Sequence, residues 1–351
     1  MGKIITFGEI MLRLAPEGYY RFVQASSFGA SFGGGEANVA VSLAGFGMDA
    51  AFVSKLPAHE IGQAAVNKLR EFGVDTSFIV RGGRRVGIYF LEKGASQRPS
   101  KVIYDRAHSS IAEASASDFD WKKIFSPEAS AETPETSGAS WFHFTGITPA
   151  LSDAAAEITA EACRAAKAAG FGVSCDLNYR KNLWPREKAG KTMEALMKYV
   201  DVCIANEEDA EQVFGIHAAG SDVASGKISR AGYEQAAKIL TERFGFAKTA
   251  ITLRESVSAS DNNWGAMLYD NGTAYFSKQY AVRIVDRVGG GDSFAAGLVY
   301  GILNSMAPQE NIEFAAAASC LKHSVEGDFN HVSVEEVKKL AKGDASGRVQ
   351  R

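Results

Sequence analysis

Val285-Asp286-Arg287-Val288-Gly289-Gly290-Gly291-Asp292-Ser293-Phe294-Ala295-Ala296-Gly297 is the stretch on which the reading of this chain turns. Upstream, Val282, Ile284 and Val285 form a short apolar run of strand character; downstream, Phe294, Ala295, Ala296, Leu298, Val299, Ile302 and Leu303 follow a helical pattern. The pattern predicts a strand, a tight loop and a helix begun at Asp292. Three glycines permit positive φ and carry no Cβ, so several N–H groups can converge on one anion, with a helix N-terminus behind them. Phosphate is the expected anion. Asp292 then stands where an anion site has no use for an acid. Held by amides and the helix dipole, it is expected to stay ionised and to take a proton from a hydroxyl attacking the bound phosphate. Together these features point to phosphoryl transfer. A dinucleotide fingerprint would need glycine at 294, where Phe294 stands, and a Walker-type loop would need a following Lys-Ser/Thr pair, which is missing.

The 351 residues, 46% hydrophobic and 23% charged, suit one large α/β core or two small ones. A net charge of −3 without any dense Lys/Arg run argues against a nucleic-acid surface. The longest apolar run, Phe294 to Leu303, is too short and glycine-rich to span a bilayer, so no membrane partner is expected. Lys3 to Glu9 reads directly as a strand with no secretory signal ahead of it. Cys163, Cys175, Cys203 and Cys320 lack metal-ligand spacing and read as reduced core thiols, which implies a cytoplasmic setting.

Outward from the late loop, a second glycine run, Gly33-Gly34-Gly35, precedes Val39, Leu43 and Phe46 at helical spacing and puts Asn38 in a first turn. That amide can serve a polyol or cap backbone. Strands and helices alternate from Ala51 to Val80 as in a parallel sheet. Residues 15 to 32 and 84 to 107 break the alternation; the latter holds two strands, Val86–Glu92 and Lys101–Arg106. Tyr104 and Arg106, two apart on a strand, are expected to look out together, either toward a carboxylate-bearing polyol or only toward solvent. Residues 126 to 139 read as a surface insertion and 217 to 232 as a surface loop. Asn178 and Arg180 fall at the carboxyl end of the strand Gly172–Asn178, where open α/β sheets bind ligands. Asn206-Glu207-Glu208-Asp209 can hold magnesium through water or complement a helix N-terminus. Asp270-Asn271-Gly272 signals a hairpin.

With these motifs in this order, the chain resembles the ribokinase-like, or PfkB, family of carbohydrate kinases, and within it the ketodeoxygluconate kinases, over essentially its whole length. The resemblance implies one domain over residues 1–351: a doubly wound, mostly parallel sheet with helices on both faces and a small β-sheet lid from about residues 10–30 and 84–107. Such a lid often carries a dimer contact, so a homo-oligomer is implied. ATP and Mg²⁺ are the implied cofactors, and a sugar acid, 2-keto-3-deoxygluconate, is the implied acceptor through its primary hydroxyl. Asp292 would be the base, with Gly289, Gly290 and Gly291 stabilising the transferring group. Gly34, Asn38, Tyr89, Tyr104, Arg106, Arg180 and Asp328 would hold the sugar acid. Asn178, Asn206, Thr252 and Arg254 would line the nucleotide side, and Asn206 and Asp209 would reach the metal through water. Departures from the family pattern are Arg287 for threonine, Gly290 for alanine, Asp209 for glutamate, and Arg254 onward where a glycine-bearing turn is common. Kinases of neutral sugars or nucleosides, and a catalytically silent sensor on the same fold, are the competing readings.

Overall fold

In the computed structural model, residues 2–126, 139–206, 208–220 and 229–344 are described; most of the 126–139 insertion and residues 221–228 of the expected 217–232 loop lie outside them. In chain order the strands are β1 (Ile4–Phe7), β2 (Met11–Ala15), β3 (Gly29–Gly33), β4 (Ala50–Leu56), β5 (Ile79–Arg81), β6 (Gly87–Glu92) and β7 (Lys101–Asp105). There follow β8 (Trp141–Thr145), β9 (Gly172–Asp176), β10 (Val202–Ala205), β11 (Lys248–Ser256), β12 (Asp261–Asp270), β13 (Thr273–Phe276) and β14 (Tyr280–Arg283).

Side-chain alternation on the strands creates two cores. Ile5 and Phe7 of β1 join Phe142 and Phe144 of β8 on one face, with Ile158 and Ala162 from the helix Asp153–Ala168. Ile4 and Trp141 point to the other face, where they meet Val39, Leu43, Phe294 and Phe314. The main sheet has ten strands, ordered β13-β12-β11-β10-β9-β8-β1-β4-β5 with β14 also on β12. From β5 to β11 every pairing is parallel, and only the β11–β14 end is antiparallel. Helices lie on both faces, as expected of a doubly wound α/β chain. A separate four-stranded sheet, β3-β2-β6-β7, forms the lid. The strand expected over Lys3 to Glu9 is β1, which stays in the main sheet, while β2, just after it, crosses into the lid. The hairpin is at its expected place, with Asn271 at φ 48° and Gly272 at φ 78°.

Candidate active site

The late glycine loop divides its labour differently from the expectation. β14 ends at Arg283, and the helix Gly290–Leu303 begins two residues before Asp292. Among the three glycines only Gly289 is left-handed, at φ 83°, where a Cβ would also come within 2.1 Å of the Asp328 carbonyl. Gly290 is helical and tightly packed, its Cβ position 2.5 Å from the His323 ring. Gly291 has no atom within 4 Å of where its Cβ would stand, and it lines a cavity. The first closing bond of the helix is Ser293 N–H to Gly289 O at 2.8 Å, so the Gly291 and Asp292 amides precede any intrahelical acceptor.

Asp292 is buried at the inner edge of the same cavity. Its Oδ2 accepts from Asn38 Nδ2 at 2.6 Å, and Asn38 Oδ1 accepts from Gly34 N–H at 3.2 Å. The helix Gly35–Gly45 thus presents Asn38 to the acid rather than to open space. Burial pushes the Asp292 carboxyl up to about 7, against the Asn38 bond and the Arg180 charge and with the help of Glu36 and Asp328. This corrects the expectation of a permanently ionised acid: loss of hydration outweighs the helix dipole. A base that titrates near neutrality is well matched to proton abstraction.

On the lid side, Tyr89 O–H donates to the Asp328 carboxylate at 2.6 Å. Arg13, on β2, donates to Asp328 at 2.9 Å and to Asp286 at 2.5 Å, all three side chains being buried. Gly33 makes room for this knot, since a Cβ there would lie 2.0 Å from Asp328 Oδ2. Tyr104 is 43% exposed, but Arg106 is only 9% exposed. The two do not look out together. Past the end of β7 the chain turns in, and Arg106 donates through Nε to Glu9 at 2.8 Å and through Nη2 to the same carboxylate, which also accepts from Ser109 at 2.6 Å. The Arg106 guanidinium still lies 5.4 Å from the Tyr104 ring centre and borders the cavity.

At the sheet's carboxyl edge, Asn178 takes φ 39° beside Asp176, and Arg180 is exposed next to them. Burial drives the Asp176 carboxyl well above the usual range, and nearby Asp209 and Asp292 drive it further. Asp209 accepts from Tyr179 N–H at 3.0 Å and Asn206 N–H at 2.9 Å, while Asn206 Oδ1 accepts from Glu208 and Asp209 N–H. These groups are already occupied in bracing their loop. No set of three acidic, His or Cys side chains among the described residues could hold a metal directly. Of Asp176 and Asp209 only Asp176 lines the cavity, and a cation brought to it would favour its ionised form.

One cavity of about 310 Å³ joins these parts. It is lined by Gly34, Asn38, Tyr89, Tyr104, Arg106, Asn178, Arg180, Asn206, Thr252, Arg254, Gly289, Gly291, Asp292 and Asp328, whereas Gly290 and Asp209 stand behind the wall. Asp176 and Arg287 also line it and were not expected. The strand-end rule that found Asn178 would have found Asp176 as well. Arg13 and Glu9 carry no comparable signal, being single charges within apolar stretches.

Residues 1–333 match the pfkB family carbohydrate kinase pattern. The chain belongs to that family. It is 52% identical to the crystal structure of 2-dehydro-3-deoxygluconokinase from Thermotoga maritima, covering 98% of this chain and all of that one at a TM-score of 0.91. It is 31% identical to 2-dehydro-3-deoxygalactonokinase of Haloferax volcanii over 98% of both chains. A third relative, 2-dehydro-3-deoxygluconokinase of Thermoproteus tenax, is 28% identical over 97% of this chain and 95% of its own. Membership of this family makes the chain a carbohydrate kinase and accounts for the lid over the sheet's carboxyl edge.

Proposed function

We propose that this PfkB kinase transfers the γ-phosphoryl group of ATP to the primary hydroxyl of 2-keto-3-deoxygluconate, the sugar acid for which the Thermotoga and Thermoproteus relatives are named. The observation that carries the reading is Asp292, poised near neutrality by burial and lining the same cavity as Gly291, Tyr104, Arg106 and Arg180. Asp292, held by Asn38, takes the hydroxyl proton; the new O–P bond forms as the bond from phosphorus to the bridging oxygen of ADP breaks. The Gly291 and Asp292 amides meet negative charge on the transferring group. Arg106 and Arg180 face the sugar's carboxylate. Magnesium carried on the donor phosphates would be met through water by Asn206, which Asp209 braces from behind the wall, and would supply further charge neutralisation. The name of the Haloferax relative supports the galacto epimer as a second acceptor.

Coupled ADP release with both ketodeoxy acids, fructose, ribose and adenosine tests this. Sugar acids are expected to exceed the others in kcat/KM by at least about tenfold, an advantage that Arg106→Ala should abolish. Equal loss on acids and neutral sugars in that variant removes the carboxylate clamp, and no ADP release with any acceptor leaves only a silent binding protein. The exposed residues Val23 (92% exposed), Tyr19, Tyr20 and Ile103 on the lid side support a lid-mediated dimer; sedimentation as a monomer would remove that part.

A further inference from the structure

Arg13 is not part of the cavity lining, yet it joins the two sides of the transfer from behind the wall. Its Nη1 donates to Asp328 Oδ1 at 2.9 Å, and Asp328 lines the cavity together with Tyr89, the residue opposite Arg13 on β6. Its Nη2 donates to Asp286 Oδ2 at 2.5 Å. Asp286 governs the approach to the glycine loop. Its Oδ1 accepts from Val288 N–H at 3.1 Å, one residue before Gly289, and its Oδ2 accepts from Gly327 N–H at 3.1 Å, one residue before Asp328. A single guanidinium on the lid therefore spans a sugar-side carboxylate and the residue that leads into Gly289, Gly291 and Asp292.

The surroundings hold this bridge to one geometry. Tyr89 O–H donates to Asp328 at 2.6 Å, and the backbone at Gly289 comes so close to the Asp328 carbonyl that no Cβ fits between them. Lys322 Nζ ties the turn before Asp328 by donating to Val325 O at 3.1 Å and Gly327 O at 2.8 Å, and its Cε lies 3.2 Å from the Gly289 Cβ position. Arg13, Asp286 and Asp328 are all buried. A buried ion pair is weak evidence for stability, since well-packed apolar side chains serve as well or better. A planar fork shared by two carboxylates from separate segments is, by contrast, a means of fixing position.

We propose that Arg13 is a positioning residue for phosphoryl transfer: it holds Asp328 and the glycine loop in one register, so that the acceptor hydroxyl meets Asp292 and the phosphoryl group in line. The proposal rests on the kinase reading of this cavity and adds a residue that acts through Asp328 and Asp286. A displacement on the order of 1 Å at such a site costs up to about a hundredfold in rate. With the acceptor out of line, water attacks phosphorus in place of the sugar hydroxyl, and ATP goes to ADP and inorganic phosphate.

Arg13→Lys keeps the charge without the fork, and Arg13→Met removes both. On the full chain, kcat, the sugar-acid KM and the ratio of ADP released to sugar phosphate formed would be compared with wild type. Arg13→Lys should lose about tenfold to a hundredfold in kcat for sugar phosphate, and its ratio should rise above one as inorganic phosphate appears. Arg13→Met should also raise the sugar-acid KM by about tenfold or more; if it does not fold, Arg13→Lys decides. Wild-type kcat in Arg13→Lys, or a lower kcat with the ratio still at one, overturns the proposal and leaves Arg13 a stabilising contact of the lid. A wild type that forms sugar phosphate at a ratio of one, with Arg13→Lys behaving alike, loses only the positioning role. A wild type that phosphorylates no sugar acid removes the kinase reading, and the proposal with it.

Discussion

Asn38→Ala isolates the hydrogen bond that keeps Asp292 usable as a base. Burial raises this carboxyl from 3.8 to about 7, and the 2.6 Å bond from Asn38 is the strongest influence in the opposite direction. Losing a hydrogen bond to a charged group costs about 1.5–3 kcal/mol. About 1.4 kcal/mol moves a titration midpoint by one pH unit, so the variant's Asp292 should titrate near pH 8 to 9. At pH 7 the ionised share then drops from about one half to roughly one part in ten to one in a hundred. The assay is kcat/KM for the sugar acid from about pH 5.5 to 9.5, which reports groups of the free enzyme. The ionised form is the active base, so the rate climbs with pH through the midpoint. The variant's acid limb should shift to higher pH, and its rate should approach that of the wild type above about pH 9. An acid limb left in place, with the rate lowered equally at every pH, would refute the reasoning and make Asn38 a contact of the sugar instead.

Asp292→Asn should lose at least about a hundredfold in turnover while still binding both substrates; wild-type turnover would remove Asp292 from the mechanism. The same variant should be more stable at pH 8. The wild-type carboxyl has a folded pKa of about 7 against 3.8 when unfolded, so the unfolded chain gives up its proton first and stability falls from about pH 4 to pH 7. The ceiling on that loss is about 4 kcal/mol. Thermal melts should therefore show the variant ahead at pH 8 and level with the wild type near pH 4; equal melting at pH 8 would mean the acid is not desolvated. Gly291→Ala, with nothing within 4 Å of the added methyl, should melt no lower than wild type yet lose at least about tenfold in kcat/KM. Gly290→Ala, aimed at His323 from 2.5 Å, should melt lower. Full activity in Gly291→Ala would place the ligand elsewhere.

Much of this protein is local and was readable as such. Strand runs, helix periods, the hairpin at Asn271 and both glycine signatures depend on neighbours within a few residues, and they lie where periodicity and turn chemistry put them. Arg106 shows where that reading stops. Its spacing from Tyr104 set the face it would occupy on a continued strand, but the chain leaves β7 at Asp105, and Glu9, distant in sequence, supplies the partner that turns the side chain inward.

What the sequence alone determined is the chemistry on offer: an acid after three glycines at a helix start, with tyrosines and arginines available to a ligand. What only the tertiary structure decided is the state of those groups. Asp292 titrates near 7 because the fold strips its water and brings Asn38 to it from 254 positions away. Arg13, Asp286, Asp328 and Tyr89 form one knot because β2 and β6 of the lid meet the late loops of the main sheet. Burial and long-range pairing set a side chain's charge and direction, and neither is a property of its neighbours along the chain.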